Sequence, residues 1–186
     1  KAASVSDMLK KLAEKGLIDY KKYYGVSLTE EGKKTALFII RRYRLCEVFL
    51  VDKLKFNWDE VNAIAEELEH VKAPLLVRRL DEYLGFPKFD PHGDPIPDEF
   101  GELSDKPRIT LQEVPVGQSG KIVAVSDTSA NFLKYLDKVG IYIGAKVLVL
   151  EKIEYDGSQE LFIDNQKKVF VSKEVATNIQ VMLHPN

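Results

Sequence analysis

The spacing of apolar positions changes twice within the first 28 residues. Val5, Met8, Leu9 and Leu12 recur three and four apart behind Ser4 and Ser6, whose hydroxyls can cap a helix, and Gly16 stops the run. Residues 17–20 then alternate, residues 21–25 make a basic and aromatic turn, and residues 26–28 alternate again. The pattern predicts helix, strand, turn, strand. That is the second half of a winged helix-turn-helix, in which the helix enters the major groove and the hairpin tip touches phosphate.

Thr29, Glu30 and Glu31 cap a long helix predicted to reach residue 55, with Ala36, Ile39, Ile40, Leu45, Val48 and Phe49 at helical spacing. Two more helices are predicted over 59–70 and 74–84. Residues 85–106, rich in Pro, Gly and Asp, read as a loop leading into a linker. Beyond them, alternation predicts strands at 109–114, 121–126, 146–153, 160–163, 168–171 and 179–183, interrupted by a helix over 129–139. So many short strands in so few residues predict a small SH3-like β-barrel. The fold class expected is mainly α with a β domain.

Composition narrows the class. The chain has 186 residues, 45% of them hydrophobic, a net charge of −2 and a mean hydropathy of −0.20, as in a soluble globular protein. Its longest apolar runs are broken by Arg41, Arg42 and Arg44 or by Asp52 and Lys53, so none suits a bilayer span and no membrane role is expected. One cysteine, Cys46, excludes an internal disulfide and fits a reducing compartment; the expected location is cytoplasmic. Cys46 reads as a small buried apolar residue. Because the chain opens on Lys1 directly into a helix run-in, its natural N-terminus is expected upstream.

The near-neutral total conceals a gradient. Residues 1–44 carry 11 basic and 5 acidic side chains, residues 45–106 carry 7 and 15, and residues 107–186 carry 9 of each. A basic first part suits a polyanion and an acidic second part suits cations. Ser4, Ser6 and Asp7, at the start of the first helix, are short polar groups suited to base edges. Lys10, Lys11, Lys21 and Lys22 are suited to phosphate, with Tyr23 and Tyr24 at the wing tip. The plainer alternative for the lysines is solubility.

Glu66, Glu69 and His70 stand at i, i+3 and i+4 and so emerge on one helix face, within reach of one ion. Two carboxylates and an imidazole suit Mn(II) or Fe(II) better than a thiolate site would. A solvated acidic face ending in His70 is the alternative.

Several strings resemble the diphtheria toxin repressor family of iron- and manganese-dependent transcriptional regulators. They are residues 4–12 with Gly16 and Leu17, residues 25–32, residues 41–50, residues 65–70 and the turn at 90–97. The last 80 residues, with Gly117–Gly120 and Leu136–Gly140, are similar to the SH3-like domain of the longer members. The resemblance implies a winged-helix remnant over 1–34, a helical metal-binding and dimerisation domain over 35–106 and an SH3-like domain over 107–186. It implies that about 35 family residues precede Lys1.

It further implies a regulatory metal, Mn(II) or Fe(II), held by Glu66, Glu69 and His70 with help from a preceding helix; Tyr43 stands where the family usually has a histidine. An ancillary metal joining the two larger domains is implied at Glu47, Asp90, His92 and Asp127, with Asn131 the nearest substitute for the last. The implied function is a metal-dependent repressor of metal-homeostasis genes, acting as a homodimer on a double-stranded DNA operator. Dimerisation is implied through residues 58–84, with Trp58, Val61, Ile64, Leu68, Leu75 and Leu76 as interface or core. Two rivals remain at this point: a metal-independent winged-helix regulator, and a diiron carboxylate enzyme built on Glu67-x-x-His70. The second needs another Glu-x-x-His, and the sequence has none.

Overall fold

The computed structural model describes residues 4–21, 23–71, 73–103 and 107–183. Helix α1 (Val5–Glu14) starts where Ser4 Oγ accepts a hydrogen bond from Asp7 N. Strands β1 (Ile18–Lys21) and β2 (Gly25–Leu28) follow as an antiparallel hairpin pairing Ile18 with Leu28 and Lys21 with Gly25. Thr29 ties this head to the next helix, α2 (Glu30–Asp52). Its hydroxyl donates to Gly16 O at 2.7 Å and accepts from Gly32 N at 3.0 Å. Gly32 lets the first turn of α2 press against the hairpin, since a Cβ there would sit 1.8 Å from Leu17 O.

Helices α3 (Val61–Glu69) and α4 (Pro74–Leu84) pack on α2. Cys46, Leu50, Val61 and Ala65 form one small core, and Leu45, Val48 and Ile96 form another, Leu80 packing against both. Val61 is therefore core and Ile64 half-buried against it, whereas Leu75 and Leu76 are 60% and 53% exposed and Leu68 also faces solvent. Arg41 spans from α2 to Asp81 on α4 and to Pro97 O, an ion pair shielded from water at both ends.

The rest is a six-stranded antiparallel sheet in the order β3-β8-β4-β5-β6-β7: β3 (Ile109–Thr110), β8 (Ile179–Leu183), β4 (Ser119–Val125), β5 (Lys146–Lys152), β6 (Gln159–Ile163) and β7 (Lys167–Val171). Helix α5 (Ala130–Val139) and the short α6 (Lys173–Thr177) complete the domain, around a core that includes Ile122, Leu133, Leu136, Val147 and Leu161.

The sheet is bent by irregularities after Ile122 and Val149. Among the described residues the ladder does not close between β3 and β7, so the SH3-like domain is a coiled sheet with two edges. The first strand is shorter than alternation predicts because Glu113 Oε2 accepts from both Thr110 N and Thr110 Oγ1, turning the chain so that Leu111 and Val114 enter the core. Helix α6 was not expected; at five residues it is too short to show a helical period. No helix is long and apolar enough to cross a membrane.

The sheet domain docks on the helices through named bonds. Trp58 Nε1 donates to Asp137 at 3.1 Å, and Asn62 Nδ2 donates to Thr128 O and Oγ1 at 3.0 and 3.1 Å. Val125 N donates to His92 O at 3.0 Å. Gly93 lies so close to β4 that a Cβ would meet Val123 O at 1.9 Å.

Candidate metal centre

Glu47 is in the middle of α2, where a charged residue on a helix face turned inward needs a partner. The turn at 90–95 brings two. Asp90 Oδ1 accepts from His92 N and Asp94 N, both at 2.9 Å, an Asx-type arrangement that fixes the loop and aims His92 at α2. Glu47 and His92 are 1% and 2% exposed, and Asp90 is buried with them. The ligand atoms of Glu47, Asp90 and His92 all lie within 4.8 Å of one another, the one such group of three among the described residues.

The histidine's state follows from its two nitrogens. Nε2 is 2.9 Å from Trp58 O, an acceptor only, so Nε2 carries the proton. Nδ1 is left facing Glu47 Oε1 at 3.5 Å. The ring also stacks on Trp58, centroids 6.0 Å apart. Burial works against a charged imidazole, but the Glu47 and Trp58 contacts outweigh it and raise the His92 pKa.

Burial, reinforced by the Glu47 charge, pushes Asp90 up to about 6, although Arg44 Nε stands 3.4 Å from its Oδ2. Glu47 Oε2 is buried with no hydrogen-bond partner. A crowded set of two carboxylates and one imidazole, with an orphaned carboxylate oxygen and a nitrogen lone pair facing in, fits a divalent cation such as Mn(II) or Fe(II).

These groups line a cavity of about 260 Å³ shared with Tyr43, Arg44, Glu69, Asp94 and Thr128. Glu69 thus reaches the cavity from α3. Glu66 and His70 are exposed, and His70 caps the C-terminus of α3, so the three expected primary ligands are not gathered around one point. Tyr43 lines the same cavity; burial, then the Glu47 carboxylate, raises its hydroxyl pKa. It is a neutral donor beside the cluster. Burial likewise raises the Cys46 thiol.

Asp127 stands outside the cluster, its Oδ1 accepting from Ser129 N at 2.8 Å at the start of α5. Its neighbour Thr128 reaches the cavity instead. Sequence reasoning did not single out Arg44, which binds Pro95 O and Asp94 and holds the ligand-bearing turn against α2. An arginine three residues before Glu47, opposite an Asp-rich turn, was the available signal.

At the other end of the chain, Ser4, Ser6, Asp7, Lys10 and Lys11 are exposed on α1 and Lys21 is exposed at the end of β1. Tyr23 is exposed at the hairpin tip with a positive φ of 72°. Lys22 lies outside the described residues.

Three family models match the chain in series: "Iron dependent repressor, N-terminal DNA binding domain" over residues 1–26, "Iron dependent repressor, metal binding and dimerisation domain" over 29–98, and the FeoA domain over 109–183. The iron-dependent repressor IdeR of Mycobacterium tuberculosis is 28% identical over 190 residues, covering 96% of this chain and 82% of that protein. A solved manganese-dependent transcriptional repressor in complex with manganese superposes with a TM-score of 0.90 at 37% identity, covering 99% of this chain and 86% of that one. The manganese regulator SloR gives 0.79 at 32%, covering 97% and 83%.

Proposed function

The chain belongs to the iron-dependent repressor family, and from that premise we propose that it is a Mn(II)- or Fe(II)-dependent DNA-binding transcriptional repressor of metal-homeostasis genes. The observation that carries the metal reading is the buried meeting of Glu47, Asp90 and His92 on two segments far apart in sequence. Membership in a family of DNA-binding regulators sets aside the diiron enzyme reading.

In this reading Glu47, Asp90 and His92 would hold one ion, and Asp127, three residues before α5, would be a further ligand once freed of Ser129 N. Glu66, Glu69 and His70 serve a second, with Glu69 nearest the shared cavity. A divalent cation supplies positive charge that neutralises and cross-links carboxylates otherwise held together at a cost. The chain's residues do the rest. Trp58 O keeps the His92 proton on Nε2, Arg44 clamps the turn to α2, and Thr29 joins α2 to the reading head.

An ordered head binds DNA more tightly because less freedom is lost on binding. Ser4, Ser6 and Asp7 would meet base edges, while Lys10, Lys11, Lys21, Lys22 and Tyr23 would meet the backbone. A double-stranded operator with two-fold symmetry requires two heads, and the exposed Leu68, Leu75 and Leu76 offer a homodimer surface. The reading places the protein in the cytoplasm, with domains over 1–34, 35–106 and 107–186.

Anaerobic calorimetric titration with Mn(II) and Fe(II) tests the metal assignments. Two sites per chain are expected, one lost in Glu69→Ala and the other in His92→Ala. Absence of specific binding would overturn the metal reading and favour a metal-independent regulator.

A further inference from the structure

Helix α2 carries a second cavity, on the face turned away from the metal cluster. Glu47, Tyr43, Ile39 and Ile40 line the first cavity; Phe38, Arg41 and Arg42 line the second. At about 100° per residue these two sets point in opposite directions. The second cavity, of about 880 Å³, lies between α2, α4 and the loop at 86–100, within the size range of small-molecule sites.

Four basic side chains and four carboxylates line it, and one of the basic groups keeps a donor without a partner. Arg41 and Asp81 neutralise each other, Glu82 is held by Arg79 at 2.9 Å, and Asp98 Oδ1 is occupied by Phe100 N and Glu102 N. Arg42 has no hydrogen-bond or ion-pair partner among the described residues, and its Nε is buried unsatisfied. Lys88 in the lining is also without an ion pair among the described residues, as are the carboxylates Asp98 and Glu99. A buried guanidinium donor left unpaired is costly unless an acceptor reaches it.

Apolar surface surrounds that charge. Phe38, Phe86 and Phe100 line the cavity yet are substantially solvent-exposed, Phe100 at 75%. Phe86 adopts φ 59°, a left-handed conformation strained for an aromatic residue and held by Phe86 N donating to Asp81 O. Non-glycine backbone held in the left-handed region clusters at ligand clamps and switch segments.

We propose that this cavity binds an amphipathic organic carboxylate, with the carboxylate on Arg42 and the apolar body among Phe38, Phe86 and Phe100. A planar guanidinium matches a carboxylate fork, and the rings match a flat or hydrocarbon body. The ligand would touch the helix that bears Glu47 without touching the metal cluster, and the site stands whether or not the metal reading does.

Naphthoate is the probe, titrated into the full chain by calorimetry, with naphthamide as its uncharged counterpart and inorganic phosphate as its bare-anion counterpart. One naphthoate per chain is expected, with affinity reduced about tenfold or more in Arg42→Ala and in the exposed-ring variant Phe100→Ala, and weaker binding of naphthamide. Mn(II) stoichiometry and the circular dichroism spectrum of both variants should match the parent, which separates ligand loss from unfolding. Equal affinity for naphthamide, or no change in Arg42→Ala, overturns the proposal. So does phosphate competing fully while Phe100→Ala has no effect, since that describes an anion subsite only.

Discussion

His92 Nδ1 faces Glu47 Oε1 across 3.5 Å, joining a Pro-rich turn to the centre of a helix 45 residues earlier in the chain. The pair is almost wholly out of water, and Glu47 keeps a second oxygen with no partner. Glu47→Gln removes the charge while keeping the shape. The metal-free chain should unfold at the same temperature or higher, because a buried carboxylate is exchanged for a neutral amide. The rise in unfolding temperature on adding Mn(II) should shrink by the share that the Glu47 site contributes. At a hundredfold excess over Kd that rise corresponds to about 2.7 kcal/mol in the parent. Thermal scans with Mn(II) and with chelator check both halves.

Acidity should act in opposite directions on the two forms. Asp90 titrates at about 6 in the fold against an ordinary 3.8, and His92 is also raised. A raised folded-state pKa means that the native state holds protons the unfolded chain releases. Stability of the metal-free chain therefore falls as pH rises through about 6, by on the order of 2 kcal/mol for a buried group. Metal affinity rises over the same interval, since Mn(II) replaces those protons. Urea unfolding at pH 5 and pH 7.5, with and without Mn(II), should show the two trends crossing.

Gly93 touches no ligand atom, yet it seats the ligand-bearing turn against β4. Gly93→Ala places a methyl group 1.9 Å from Val123 O at a φ of 87°. The turn must lift, so unfolding free energy should drop by about 1–3 kcal/mol and Mn(II) affinity should fall although Glu47, Asp90 and His92 are intact. Urea melts and Mn(II) titration of the variant measure both.

Trp58, the single tryptophan, gives an optical handle on domain docking. Its ring lies on His92 and its Nε1 is bonded to Asp137 of the sheet domain. Mn(II) binding should change its emission. Asp137→Ala should shift the emission to the red and lower stability by about 1 kcal/mol, as a lost hydrogen bond does. Unchanged fluorescence in both experiments would show that the indole is not at this junction.

Arg41 and Asp81 make a buried ion pair between α2 and α4. Asp81→Ala strands a guanidinium whose remaining partner is Pro97 O, and should cost about 3–5 kcal/mol in unfolding free energy measured by urea titration.

Periodicity carried most of the fold. Helices α3 and α4 and five of the six strands of the sheet domain appear within two residues of their predicted ends, and the long helix stops three residues early, because each buries one face in a regular pattern. Closure of the barrel was not legible, since it depends on Glu113 bending the chain after Thr110, a side-chain bond without a period. At the candidate centre, the i, i+3, i+4 spacing of Glu66, Glu69 and His70 placed three donors on a helix but could not show that Glu69 lines the cavity Glu47 shares while the other two are exposed. Asp127 stands outside the cluster for a comparable reason. The start of α5 occupies Asp127 with a backbone N–H that any N-terminal turn must satisfy.

If occupancy of the metal sites controls DNA binding, protection of the operator must follow the metal. Footprinting of the natural full-length protein on chromosomal DNA fragments, with Mn(II) and then with chelator, tests it most directly. A two-fold symmetric protected site should appear with Mn(II), fade with chelator and weaken in His92→Ala. Equal protection with and without metal would contradict it.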